Sequence, residues 1–214
     1  MSTSLDQLWS RIVTNQPAAV RAHLDAERRL VSTVATGYRS LVEVGCADGS
    51  LLLPVARRLG LEYLGVDLAA GAVEATRALG ADAVRADAVD LATLPLPAGS
   101  LLIGYPFNVF GNLPDPPRAL TAAATTGADA LVLTYDTSPA ATTLRTEYYA
   151  ACDLPGELAT DETGVHFTSG TFRSSVYHRE VVTAWLTAAG YRTAVTPYGR
   201  AGLAYHATAA PHSP

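Results

Sequence analysis

Leu41-Val42-Glu43-Val44-Gly45-Cys46-Ala47-Asp48-Gly49-Ser50 is the stretch on which the fold turns. Leu41, Val42 and Val44 make a short apolar run that stops at Gly45 and Gly49. Such a run, bounded by turn residues, reads as a strand buried in a parallel sheet. From Leu51 to Gly60 the apolar residues recur at helical spacing, and Gly60 is a natural C-cap. Strand, glycine turn and helix start together make the nucleoside- or phosphate-binding corner of a doubly wound α/β domain. The glycines let backbone approach a ligand that a Cβ would block.

Downstream, the same alternation repeats. Leu61 to Val66 reads as a second strand ending in Asp67, an acid about 20 residues past the turn, where it suits ribose hydroxyls. A helix from Ala69 to Gly80 leads to a third strand, Ala81 to Ala86, followed by Asp87. Ser100 to Phe107 is a fourth buried strand and Ala128 to Tyr135 a fifth, ending in Asp136. Tyr177 to Tyr191 reads as a helix, with final strands at Arg192 to Pro197 and Gly202 to Thr208. The expected class is α/β: a seven-stranded, doubly wound, mostly parallel sheet whose last strand is antiparallel.

A dinucleotide turn asks for G-x-G-x-x-G, but here the three positions are Gly45, Ala47 and Ser50. What stands instead is E-x-G-x-A-D-G, from Glu43 to Gly49. This resembles the first motif of the class I S-adenosylmethionine (SAM)-dependent methyltransferases, and the order and spacing of the strands agree over Leu41 to Asp136 and Tyr177 to Thr208. The resemblance implies SAM as cofactor, S-adenosylhomocysteine (SAH) as product, and transfer to an O or N atom of a small aromatic or apolar molecule of secondary metabolism. It carries over Glu43, Gly45, Ala47, Gly49, Asp67, Asp87 and Tyr105 as cofactor contacts. Glu43 would suit a cofactor with a positive sulfonium and no phosphate, and Asp87 would receive the adenine amino group. Ala47 departs from the pattern, which has a second glycine there. The strand Ser100 to Phe107 with the following Asn108 to Asp115 resembles the fourth motif, whose strand end faces the transferable methyl. Nucleic-acid amine methyltransferases carry [DNS]-P-P-[YFW] at that place, whereas this chain has Gly104, Tyr105, Pro106 and Phe107. Two other classes share these features in part: an NAD-dependent oxidoreductase and a non-catalytic SAM-binding scaffold.

The remaining segments have no family motif. Leu5 to Thr36 reads as two amphipathic helices broken near Pro17, forming an N-terminal cap over 1–36 with Trp9 as a candidate wall. In the second helix Val20, Leu24, Leu30, Val31 and Val34 take one face and Arg21, Asp25, Glu27 and Arg28 the other. Residues 37–135 and 178–208 are then the core, and 136–177 an insertion of about 40 residues, too long to be structureless. The insertion should hold a helix through Thr142 to Cys152 and an antiparallel pair around Val165 to Val176. All four Phe lie between Phe107 and Phe172, and Tyr148, Tyr149, His166 and Tyr177 add to them, a distribution suited to a lid over an apolar acceptor. Expected acceptor contacts are Trp9, Phe107, Asn108, Asn112, Tyr148, Tyr149 and Phe167; the catalytic candidates are Asn108, His166 and His178, the histidines as bases. The tail, 209–214, is expected to be disordered.

Composition narrows the partners. The 214 residues contain no apolar run near 18, so no membrane span is expected. The start, MSTSLDQLWSR, has no apolar signal region, and the two cysteines are too few for a disulfide framework or metal cluster. A reduced, cytoplasmic setting follows. Net charge is −5, all 15 basic residues are Arg, and none form a run that would track a phosphate backbone. A small molecule, rather than nucleic acid or membrane, is the expected partner.

Overall fold

A computed structural model describes residues 5–209. Two helices, α1 (Leu5–Thr14) and α2 (Ala18–Val34), lead into β1 (Ser40–Val44), α3 (Leu53–Leu59), β2 (Glu62–Asp67), α4 (Ala70–Ala78) and β3 (Asp82–Arg85). Then come β4 (Leu101–Tyr105), α5 (Pro116–Thr125), β5 (Asp129–Tyr135) and α6 (Pro139–Ala151). After α6 the chain forms β6 (Glu157–Thr160), β7 (Gly164–Ser169) and β8 (Phe172–Tyr177), and returns through α7 (Arg179–Ala188) to β9 (Tyr191–Tyr198) and β10 (Gly202–Ala209).

The main sheet has seven strands in the order β3-β2-β1-β4-β5-β10-β9. β10 runs antiparallel to both of its neighbours, and β1 to β5 are parallel, so the seven-stranded α/β arrangement expected from sequence is the one found. Burial explains the apolar runs: every residue of β1 and β4 is buried, whereas the edge strand β9 alternates. One face of the sheet packs Val42, Val44, Ile103 and Val132 with residues from α5 and α7. The other packs Leu41, Leu102 and Leu131 with Val31 of α2 and Val55 of α3. The order reverses between β1 and β4, which opens the ligand-binding corner at their C-terminal ends.

Differences from the sequence reading are local. The stretch after Asp115 holds a helix the pattern did not announce, α5, capped by the Asp115 carboxylate accepting from the Arg118 amide at 3.1 Å. The insertion helix starts three residues early, at Pro139, because Ser138 caps it. The small sheet has three strands, not two: β6 is exposed along its whole length and so carries no apolar alternation to read. Ala209, assigned to the tail, is the last residue of β10 and donates its amide to Asp129 at 2.8 Å. Residues 210–214 lie outside the described residues.

Candidate active site

At the end of β1 the chain turns through Gly45 at φ +72° and Gly49 at φ +71°. Gly45 has no room for a side chain, since a Cβ there would stand 2.3 Å from Val109 Cγ2. The β1 turn and the segment after β4 are thus in direct contact. Ala47 takes φ 48° between the glycines, a left-handed position that costs a residue with a Cβ about 1–2 kcal/mol.

Asp67 holds this turn to β2. Its carboxylate accepts from the Ala47 amide at 3.0 Å and from the Ala69 amide at 2.9 Å, and it is half-buried. A carboxylate oxygen accepts more than one donor, so fixing the loop leaves it able to take hydroxyls. Asp87 caps a short 3-10 turn, Ala88–Thr93, through one oxygen on the Val89 amide at 3.1 Å. Both acids end up at the same edge, beyond β2 and β3.

Glu43 is elsewhere. It is fully buried inside the sheet face, accepting from Tyr63 Oη at 2.6 Å and from the Leu52 amide. Its register partners on both sides are glycines, Gly65 on β2 and Gly104 on β4. A Cβ on Gly65 would meet Cys46 Sγ at 2.8 Å, and one on Gly104 would meet Leu52 Cδ1 at 3.0 Å. The two glycines therefore make the slot that Cys46 and Leu52 close over the acid. Burial raises its pKa from 4.5 to about 8. Near neutral pH it is a protonated prop beneath the turn rather than an exposed anion.

Tyr105 is also withdrawn from the edge. It is fully buried among apolar residues, with Oη on the Ala119 carbonyl at 3.3 Å. Beyond it, Phe107 and Asn108 take consecutive left-handed conformations, φ 46° and 58°. Asn108 is 3% exposed and fully engaged: Nδ2 donates to Ser174 Oγ at 3.2 Å and the Ser175 carbonyl at 3.1 Å, and Oδ1 accepts from Thr134. It is a strut between β4, β5 and β8. Phe107 is half-buried, near Tyr148 and Tyr135 at ring separations of 5.3 and 6.2 Å, whereas Asn112 is exposed.

The rings of the insertion pack on one another. Tyr149 stacks on Phe167 at 4.3 Å and meets Phe172 edge-on at 5.7 Å. Tyr148, Tyr149 and Phe167 are buried with Val20, Leu24, Cys152 and Leu154, and Tyr148 Oη donates to the Ile12 carbonyl at 2.8 Å. They form the core that fastens the insertion to α1 and α2, in place of an open aromatic wall. Trp9 lies half-buried with an indole N–H that has no partner among the described residues, and α1 runs against α4.

His166 stands one residue removed from the β4 end, since its partner Ser175 also accepts from Asn108 Nδ2 through its carbonyl. His166 contacts Asp161 at 3.0 Å, Thr163 at 3.1 Å and Ser175 Oγ at 2.9 Å on the small sheet. Thr163 and His166 hold the Asp161 carboxyl well below the usual range. His178 is the N-cap residue of α7.

Several residues here carried no signal as site candidates. Glu27, placed on the polar face, is fully buried: Oε1 accepts from the Phe107 amide and Oε2 from Tyr198 Oη, both at 2.7 Å. His23 stacks on Tyr135 at 4.7 Å, and burial lowers its pKa from 6.5 to about 4. Spacing held the clue, since Val20, His23, Leu24, Glu27 and Val31 recur as one buried stripe. Arg145 is buried too, donating to the carbonyls of Val165 and Ser174 at 3.3 and 2.8 Å.

Two surface hollows lie away from this corner, one along α7 beside Arg179 and Thr183, the other by Glu62 and Asp82 where β2 and β3 begin. Among the described residues no helix is long and apolar enough to cross a membrane.

Comparison with known proteins agrees with the topology. Residues 42–128 match the family described as a methyltransferase domain. No curated protein matches the sequence significantly. Among solved structures, the sugar N-methyltransferase KedS8 of a Streptoalloteichus species superposes with TM-score 0.64 at 16% identity, over 98% of this chain and 96% of that one. A SAM-dependent methyltransferase from Aquifex aeolicus gives 0.60 at 16% identity, over 93% and 97%. The glycopeptide N-methyltransferase MtfA complexed with sinefungin gives 0.62 at 17% identity, over 86% of each chain, and the same protein has been solved with SAH. At these identities the likeness is one of fold.

Proposed function

For a chain that carries a methyltransferase domain over residues 42–128 within the class I methyltransferase fold, we propose transfer of a methyl group from SAM to a nitrogen or oxygen of a small molecule. The observation that carries this reading is the Gly45–Gly49 turn fixed to β2 by Asp67. The donor set fits SAM. Asp67 would accept the ribose hydroxyls, and the free oxygen of Asp87 would take the adenine amino group. Nothing between Gly45 and Leu53 is basic, and α3 is only seven residues long, which suits a cofactor without phosphate.

When bound, SAM supplies an activated methyl on a neutral leaving group. The chain's task is then alignment, which contributes up to about 7–11 kcal/mol in favourable cases. Asn108 contributes as the strut that fixes the β4 end. Trp9, whose N–H has no partner among the described residues, stands as the candidate contact from the N-terminal cap. Glu43 acts indirectly, holding the turn from below.

The acceptor is read as polar rather than aromatic. The rings that suggested an aromatic acceptor are used in packing, and two of the similar folds are named as sugar and glycopeptide N-methyltransferases. The test is methyl transfer from label-bearing SAM to a panel of amino sugars, amines and phenols. The reading predicts labelled product and stoichiometric SAH with at least one nitrogen or oxygen nucleophile. Binding of SAM with no transfer across the panel and no metabolite extract consumed would favour the non-catalytic scaffold.

A further inference from the structure

We propose that Glu27 is a positioning residue for the methyl-transfer corner, its buried side chain clamping the Phe107–Asn108 turn at the end of β4. The inference rests on the methyltransferase reading for its catalytic consequence, while the clamp itself stands on geometry alone.

Two consecutive left-handed residues cost about 1–3 kcal/mol each unless glycine, and something must hold them. Asn tolerates the conformation, but Phe does not. The Asn108 amide is held by the Leu133 carbonyl at 3.0 Å, an ordinary β5 contact. The Phe107 amide reaches no strand; it donates to Glu27 Oε1 across 80 positions of sequence. Tyr198 of β9 fixes the other oxygen, and Tyr198 Oη also lies 3.3 Å from His23 Nε2. The acid is 0% exposed.

A buried carboxyl is costly, and packing alone could be served by an apolar side chain of the same volume. What such a side chain could not do is accept the Phe107 N–H. The amide would then be buried without a partner beside two strained residues. Because Val109 follows directly and touches Gly45, a loosened Phe107 would also disturb the boundary between the β4 segment and the cofactor turn. The N-terminal helix thus sets the acceptor side of the corner through one hydrogen bond.

Glu27→Gln keeps an accepting oxygen, whereas Glu27→Met keeps the volume and loses it. The experiment follows amide hydrogen exchange at Phe107 by NMR, SAH affinity by calorimetry, and kcat and KM with the acceptor identified by the panel. In the wild type, Phe107 should exchange as slowly as its neighbours in β4. The Met variant should lose that protection and about ten- to a hundredfold in kcat, with SAH affinity within about threefold. Glu27→Gln should retain both within about threefold. A freely exchanging Phe107 amide in the wild type overturns the proposal, and needs no variant to fold. So does a Met variant with intact kcat, or a Gln variant as impaired as Met, which would assign the role to charge. Failure of the wild type to bind SAH would sink the methyltransferase reading and leave the exchange result to judge the clamp.

Discussion

Asp67 carries two duties, and a single substitution touches both. Its two oxygens each accept one loop amide, Oδ2 from Ala47 and Oδ1 from Ala69, so Asn keeps an acceptor for only one of them and also loses the charge that favours hydroxyl donors. Charge-assisted hydrogen bonds are worth about 1.5–3 kcal/mol, so Asp67→Asn should weaken SAH binding by about ten- to a hundredfold and also lower the melting temperature, since one loop amide loses its acceptor. Equal affinity in calorimetry would place the cofactor elsewhere. Glu43 makes a different prediction, one of pH. Its pKa is raised by burial from 4.5 to about 8, so the folded state holds a proton that the unfolded chain releases. Below 4.5 both states are protonated and there is no cost; between 4.5 and 8 stability falls as pH rises, by up to about 1.4 kcal/mol per pH unit. Glu43→Gln should make that slope shallower in denaturant titrations from pH 5 to 9, leaving the part owed to Glu27, whose pKa burial raises from 4.5 to about 7. An unchanged slope would mean Glu43 is ionised in the fold. The acid limb has another source: His23, lowered to about 4, destabilises the fold as pH drops below 6.5. Ala47→Gly should relieve the left-handed turn and raise stability by up to about 1 kcal/mol, read as a shift in denaturant midpoint.

Among the elements, the insertion and α2 depend on each other. The first half of α2 gives Val20 and Leu24 to the ring cluster, and the second gives Val31 to the main sheet, so one helix joins both cores. Phe167→Ala should therefore cost about 3–5 kcal/mol and make segments 5–20 and 139–177 protease-sensitive together. Cleavage confined to the insertion would show the two are independent. The strands of the sheet were legible because parallel strands covered on both faces must be mostly apolar, as Leu41 to Val44 with the exception of Glu43, and Ala130 to Leu133, are. β6 was illegible because its exposed residues owe their conformation to pairing with β7. Glu27 was misread because charge assigned it to solvent, although its spacing put it on the buried stripe with His23. Likewise a resemblance located the acid at the end of β1, but only the flanking glycines, Gly65 and Gly104, reveal that it points into the sheet.

At the scale of the whole molecule, the cofactor corner and its cover come from distant parts of the sequence. Gly45 and Val109 meet across the break in strand order, Glu27 reaches Phe107 from the N-terminal helix, and Ser174 of β8 braces Asn108 from the insertion. Local sequence could indicate the turn and Asp67, because they follow one another in a β-α-β unit. It could not indicate which residues of the cover reach the corner, because those contacts are made only when the chain closes. The central claim remains the identity of the ligand at the Gly45–Gly49 turn. Titration calorimetry of the full chain with SAH, SAM and NAD tests it most directly. SAH and SAM should bind at one site per chain with micromolar or tighter affinity, and NAD should give no heat of binding. Saturable NAD binding without any SAH signal would contradict the account.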